Sequence, residues 1–367
     1  PDLYPLTMKR LCLPLLLCLA AFLLGLPACG RRAADGEPPA APIPLPSPTA
    51  PLQPGSPLLS DQTPPPPTPT TEALRFELPT AMQPVSAWRP PLYPVPWAPS
   101  PYDHFYFERP IAADEVNWPL PSYRYGGVFF SSGQVHTGVD ISAEYGAPVL
   151  AAGPGTVVSA GWGLFEDNPN SPYGRAVVLR HDFGYHNQNL FTVYAHLSEI
   201  DVIPGQWLAT GEVLGNVGDS GHTTGPHLHF EVRLGSDQFF STYNPELWLS
   251  PPQGWGVLAG RVMDTNRNLL ASYQVFVIAS QAGQTWEVRT YGAEAVNADP
   301  YYRENMVISD LPAGIYTVRI IYYGTKKETQ IEILPGRVSY FTFQGYLGFA
   351  PGPPPTPDPL EALSPAP

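Results

Sequence analysis

Between residues 101 and 250 the chain alternates short apolar runs with glycine and proline: APVLAAG, GTVVSAG, RAVVLRH, LFTVYAHL, EVLGNVG and HLHFEVR. No stretch sustains the 3.6-residue period of an amphipathic helix. Val, Ile, Tyr and Phe recur instead at strand spacing with glycine between runs, which predicts an antiparallel β domain. Residues 256–344 keep the β style with different content: GVLAGRVM, YQVFVIA, TWEVRTY, ENMVISD, IYTVRIIYY, ETQIEIL and VSYFTF. About seven strands in some 90 residues predict a small β-sandwich. DTNRN at 264–268 reads as a hairpin turn, because Asn and Asp side chains bond to their own backbone.

Outside these blocks the apolar pattern disappears. Residues 30–100 are dominated by Pro, Ala, Ser and Thr, with PPPPTPT at 64–70, and the tail APGPPPTPDPLEALSPAP is similar. Such sequence cannot bury a core and favours extended polyproline II. At about 3.1 Å per residue, roughly 45 residues of it would reach roughly 140 Å. The chain therefore divides into a signal at 8–28, a Pro-rich linker at 29–100, a β domain at 101–250, a β-sandwich at 256–344 and a tail at 345–367. The signal rests on basic Lys9 and Arg10 after Met8, then an apolar stretch from Leu11 to Leu26, then LPACG. That stretch is 16 residues long, short of the roughly 20 needed to span a bilayer. Basic, apolar, then small residues read as a secretory signal. The Leu-x-Ala-Cys ending resembles a bacterial lipobox, which implies lipidation of Cys29 and a membrane anchor facing the cell wall; Pro27 is unusual inside such a box. A plain signal peptide or an uncleaved anchor is the alternative.

Charge and cysteine content narrow the chemistry. A formal net charge of −13 argues against nucleic-acid binding, which needs Lys and Arg on phosphates. It also argues against electrostatic docking on anionic polymers, so any grip on a polymer must come from a shaped groove. All three cysteines, Cys12, Cys18 and Cys29, lie in the first thirty residues, so the two β blocks contain neither a disulfide nor a thiolate metal site.

Histidines carry the candidate chemistry. In a strand, residues i, i+2 and i+4 face one way. HTGVD thus puts His136 and Asp140 on one face with Gly138 between them, and HLH puts His227 and His229 on one face with Leu228 on the other. Two His and one carboxylate suit Zn²⁺ with a fourth position open. His196 follows a β run in YAHL. In GHTTGPHLH, Gly221 and Gly225 are expected to permit a tight turn and Pro226 to stiffen entry into the HLH strand. His104, His181, His186 and His222 are read as surface or supporting residues.

Taken in order, HTGVD, YAHLS and GDSGHTTGPHLHFE within a β domain resemble the lysostaphin/LytM-type peptidoglycan endopeptidases over roughly residues 102–250. GAPVLAAGPGTV and VIPGQWLATGEVLGNVGDSG match as well. The resemblance implies the duplicated hybrid motif fold, one zinc per chain on His136, Asp140 and His229, and His196 and His227 as catalytic residues beside the metal. It implies hydrolysis of peptidoglycan stem or bridge peptides by a monomer, and leaves open the scissile bond and which of His196 and His227 is the base. It assigns no role to GLFEDNPNSPYGR at 163–175. Before His136, Asp114, Glu115 or Asn117 is a candidate for an inhibitory latch. The block from LAGRVMD resembles the carboxypeptidase regulatory-like β-sandwich, expected to act as spacer, stabiliser or weak wall-binding module. Two other readings are a non-catalytic activator of other wall hydrolases, which should lack ligands that are present here, and a surface protein acting through Tyr301, Tyr302, Tyr322 and Tyr323 of the sandwich.

Overall fold

The computed structural model describes residues 91–111, 123–129, 134–165, 167–280, 283–292 and 296–354. The signal at 8–28, Cys29, nearly all of the linker, the latch candidates Asp114, Glu115 and Asn117, and the tail beyond 354 lie outside the described residues. Among the described residues the protein is all-β, and no helix is long and apolar enough to cross a membrane.

Eleven strands make the first block: β1 (Val128–Phe129), β2 (Gln134–Val135), β3 (Val139–Ser142), β4 (Pro148–Leu150), β5 (Gly155–Trp162), β6 (Arg175–Tyr185), β7 (Gln188–Ile200), β8 (Trp207–Leu208), β9 (Val213–Val217), β10 (His227–Leu234) and β11 (Thr242–Tyr243). β1 and β2 form a short hairpin. The other nine form one antiparallel sheet, with β11, β10, β7, β6, β5 and β8 in sequence across it and β3 paired to β10. β10 is central, so both its faces are buried. Leu228, Phe230, Val232 and Leu234 enter the core on one side, which leaves the other face to His227, His229, Glu231 and Arg233.

The second block holds β12 (Trp255–Met263), β13 (Gln274–Ala279), β14 (Thr285–Arg289), β15 (Met306–Pro312), β16 (Gly314–Tyr322), β17 (Thr325–Ile333), β18 (Val338–Gln344) and β19 (Gly348–Pro351). They form two four-stranded sheets, ordered β15-β12-β18-β19 and β14-β13-β16-β17, and β12 runs parallel to β18. The turn at 264–268 closes as the expected hairpin turn: Asp264 Oδ1 accepts from the backbone N–H of Asn266 and Asn268, Met263 pairs antiparallel with Leu269, and Leu270 N donates to Val262 O at 3.0 Å before the chain crosses to the other sheet. Two sequence boundaries shift. β19 falls inside the expected tail because Phe349 packs on Phe341 and Phe343. Residues 91–100, expected as linker, are packed: Tyr93 stacks on Trp97, and Trp97 Nε1 donates to Gly336 O at 2.8 Å.

The two blocks share a core. Along β12, Val257 and Ala259 point towards the first block while Leu258 and Val262 point into the sandwich. Tyr302, Val307 and Tyr340 also join the first block's core, and Phe105, Phe107 and Ile111 of the 91–111 strap fill it. Across the seam Arg109, 6% exposed, pairs with Asp310, 3% exposed, through two hydrogen bonds, and Arg109 Nε donates to Ser250 O.

Candidate metal centre

His227 and His229 alternate with core-facing Leu228 on β10, as the two-residue period requires. β3 delivers Asp140 directly opposite His229 in register. His136 arrives differently from the sequence expectation. It lies in the non-strand link 136–138, so it does not share a strand face with Asp140. The link is pressed against β10, and a Cβ at Gly138 would sit 2.3 Å from Phe230 O. Gly138 therefore provides the close approach that brings His136 inwards.

Three donor atoms converge. His136 Nε2 lies 2.9 Å from Asp140 Oδ1 and 2.9 Å from His229 Nδ1, and His229 Nδ1 lies 3.0 Å from Asp140 Oδ1. All three residues are buried, and the group could hold a metal ion. Each imidazole is oriented from behind, as metal-ligating histidines are. His136 Nδ1 donates to Arg124 O at 3.1 Å, and His229 Nε2 lies 3.0 Å from Glu231 Oε1. Glu231 Oε1 also accepts from Thr137 Oγ1 at 2.5 Å and Tyr173 OH at 2.9 Å, while Oε2 pairs with Arg233.

The electrostatics favour a cation. Burial pushes the Asp140 carboxyl up, but His136 and His229 beside it hold it well below the usual range. Burial likewise opposes ionisation of Glu231, yet Arg233 and His229 bring it to about 2. Burial lowers His229, and Asp140 and Glu231 outweigh it, raising the ring to about 9. Arg233 balances Glu231 and leaves the Asp140 charge among imidazoles. Two nitrogens and one oxygen with one side open to a cleft form a donor set that suits Zn²⁺.

His196 and His227 stand beside this cluster with ring centroids 4.7 Å apart. Both line a cleft of about 360 Å³ together with Tyr123, Tyr173, His222 and Phe239. His196 Nδ1 faces Ser220 O at 2.8 Å and His227 Nδ1 faces Gly225 O at 2.8 Å. A carbonyl only accepts, so each Nδ1 carries hydrogen and each Nε2 is the basic edge. His227 Nε2 lies 3.5 Å from Asp140 Oδ2. Burial, then the neighbouring His229 and His227, lowers His196 to about 3. His196 has φ +64° at an irregularity in β7, a conformation that non-glycine residues adopt under constraint.

The 163–175 loop, without a role from sequence, supplies the wall of this cleft through Pro172 and Tyr173, and Tyr173 O accepts from His196 N at 2.9 Å. Gly221, φ +81°, packs back to back on Gly174, whereas a Cβ at Gly225 would meet open space, so only the first of the two expected glycines is required. Glu231 was legible as the last letter of HLHFE but carried no spacing signal of its own. Of the other histidines, His222 is exposed on the cleft rim and His186 is exposed away from it. His104 and His181 are buried and not surface residues: His104 pairs with Asp299 at 3.2 Å, and His181 lies 2.8 Å from Thr192 Oγ1. Tyr302 and Tyr322 are core residues, which removes half of the expected aromatic face; Tyr323 is exposed.

Residues 134–240 match the model of peptidase family M23. The chain is 40% identical over 101 residues to the DD-carboxypeptidase/endopeptidase Mpg of Neisseria meningitidis serogroup B, covering 28% of this chain and 20% of that protein. It is 33% identical over 134 residues to lysostaphin of Staphylococcus staphylolyticus, covering 36% and 26%. With the peptidoglycan DD-endopeptidase ShyA of Vibrio cholerae it shares 39% identity over 98 residues, covering 26% and 20%. The chain thus spans about a fifth to a quarter of the length of these relatives.

Proposed function

We propose, from the premise that residues 134–240 are a peptidase family M23 domain, that this protein is a zinc endopeptidase hydrolysing peptide cross-links in bacterial peptidoglycan. The observation that carries the reading is the convergence of His136 Nε2, Asp140 Oδ1 and His229 Nδ1 within 3.0 Å, with two more imidazoles facing the same cleft. The named activities of Mpg and ShyA support it.

In this reading His136, Asp140 and His229 hold one zinc. Bound there, zinc supplies Lewis acidity to the attacking water and the scissile carbonyl. The remaining work falls to the chain. His227 Nε2 takes the proton as the water oxygen bonds to the carbonyl carbon, and Asp140 Oδ2, 3.5 Å away, steadies the imidazolium. The same nitrogen returns the proton to the departing amine as the C–N bond breaks. His196, fixed by Ser220 O, shapes and polarises the opposite wall of the cleft. Export, with a lipid anchor on Cys29, would place the domain at the wall; neither nucleic acid nor a second copy is needed.

The test is paired. Purified protein should contain one zinc and release amino groups from purified peptidoglycan, and a chelator should abolish release until zinc is restored. Zinc with chelator-insensitive release, or a His136→Ala variant that keeps its zinc, would overturn the assignment.

A further inference from the structure

Behind the cluster, the orientation of His136 is set by a segment that is itself mounted on the C-terminal sandwich. Arg124 O accepts from His136 Nδ1 at 3.1 Å. The same short segment holds the backbone: His136 N donates to Gly127 O at 2.8 Å, and Gly126 N to His136 O at 2.8 Å. Both the ring and the peptide units of His136 thus register against residues 124–127.

Two groups of contacts anchor that segment outside the metallopeptidase sheet. Arg124, 4% exposed, donates from Nη1 to Glu246 Oε2 at 2.5 Å. The same oxygen accepts from Ser309 N of β15 at 2.7 Å, so one buried carboxylate ties the guanidinium to the sandwich backbone. One residue on, Tyr125 meets Tyr291 edge to face, with centroids 5.4 Å apart, and its hydroxyl sits between the two blocks, 2.7 Å from Thr242 O of β11 and 3.0 Å from Asn297 O. Gly126 (φ +72°) lies flat on Tyr291, where a Cβ would fall 2.3 Å from the Tyr291 Cβ. Tyr125, Tyr291 and Val296 form a separate small core against which Val135, the residue before His136, packs.

We propose that the sandwich is a structural part of the metal centre, and that Glu246, Gly126 and Tyr291 are positioning residues that hold His136 in its donor orientation through residues 124–127. This rests on the reading of His136, Asp140 and His229 as a zinc site. Partners behind a metal ligand typically contribute 10–100-fold in metal affinity, and Glu246 acts one residue further out, so the lower end applies.

The measurement is zinc affinity of the full chain by competition with a chromophoric chelator, alongside Tm. Glu246→Gln and Gly126→Ala should each weaken zinc binding about tenfold. The control is Gly324→Ala, which has a similar backbone angle, φ +78°, in a sandwich turn with open space around its Cβ. It should lower Tm but leave zinc affinity unchanged. If Gly126→Ala and Gly324→Ala lower Tm alike and bind zinc as the parent does, the positioning role is overturned. It is overturned equally if Glu246→Gln folds and binds zinc as tightly as the parent. Parent protein that binds no zinc overturns both this inference and the zinc-site reading, whereas parent binding with unaffected variants overturns this one alone.

Discussion

At the scale of single residues, the two cleft histidines differ in what supports them. His227 has Asp140 Oδ2 3.5 Å from its Nε2, and His196 is held at φ +64° with burial lowering it to about 3. If His227 carries the proton, His227→Ala should cut amine release by about 10²–10⁴-fold and keep zinc. His196→Ala should keep zinc as well, with a smaller loss than His227→Ala. Zinc analysis with initial rates on the two variants separates the roles; loss of zinc in His227→Ala would move that residue into the ligand set. Spacing in HTGVD and HLH picked out ligand-type side chains, but it put His227 and His229 on the same face, and only the family resemblance singled out His136, Asp140 and His229, the three that converge in the structure. What supports them was not legible. Arg124 and Glu246 are separated by 122 positions, and only the fold brings them together. Strand alternation even misplaced His136, since it takes no account of the Gly138 backbone closing on Phe230 O.

At the scale of elements, strands with strong alternation were readable and the segments that join the blocks were not. All seven sandwich runs named from the sequence became strands, because each pairs apolar alternation with flanking turn residues. β19 and residues 91–100 looked like Pro-rich tail and linker, since prolines surround them and their anchors are isolated aromatics, Phe349, Tyr93 and Trp97. The seam between blocks is polar as well as apolar. Arg109 and Asp310 are both buried, so removing one partner strands a charge in a low-dielectric interior. Asp310→Ala should therefore destabilise the whole protein by about 3–5 kcal/mol. Chemical denaturation would show this as one shifted transition if the blocks unfold together; a transition confined to the sandwich would contradict a shared core.

At the scale of the whole molecule, acid sensitivity follows from a buried imidazole away from the candidate metal centre. Burial lowers His181 to about 4, against the opposing pull of Pro154 O and Asp182. A lowered histidine contributes stability that is complete above its unfolded pKa of about 6.5 and is lost as pH falls towards 4, because the unfolded chain then binds a proton the folded chain refuses. Tm should thus drop between pH 6.5 and 4, and His181→Gln should reduce that drop; an equal drop in the variant would assign it to other groups. The strap has a different consequence, one of timing. Trp97 bonds to Gly336 O, 239 positions later, and Asp103 Oδ1 accepts from Val338 N. Contacts of such separation form late, since loop closure comes before they reward it. A chain emerging from the ribosome would have made His136, Asp140 and His229 long before residues 336–338 are available to seal the core. Native assembly would then wait for the end of the second block, so the His136, Asp140 and His229 cluster would stay unlocked while the chain is being made.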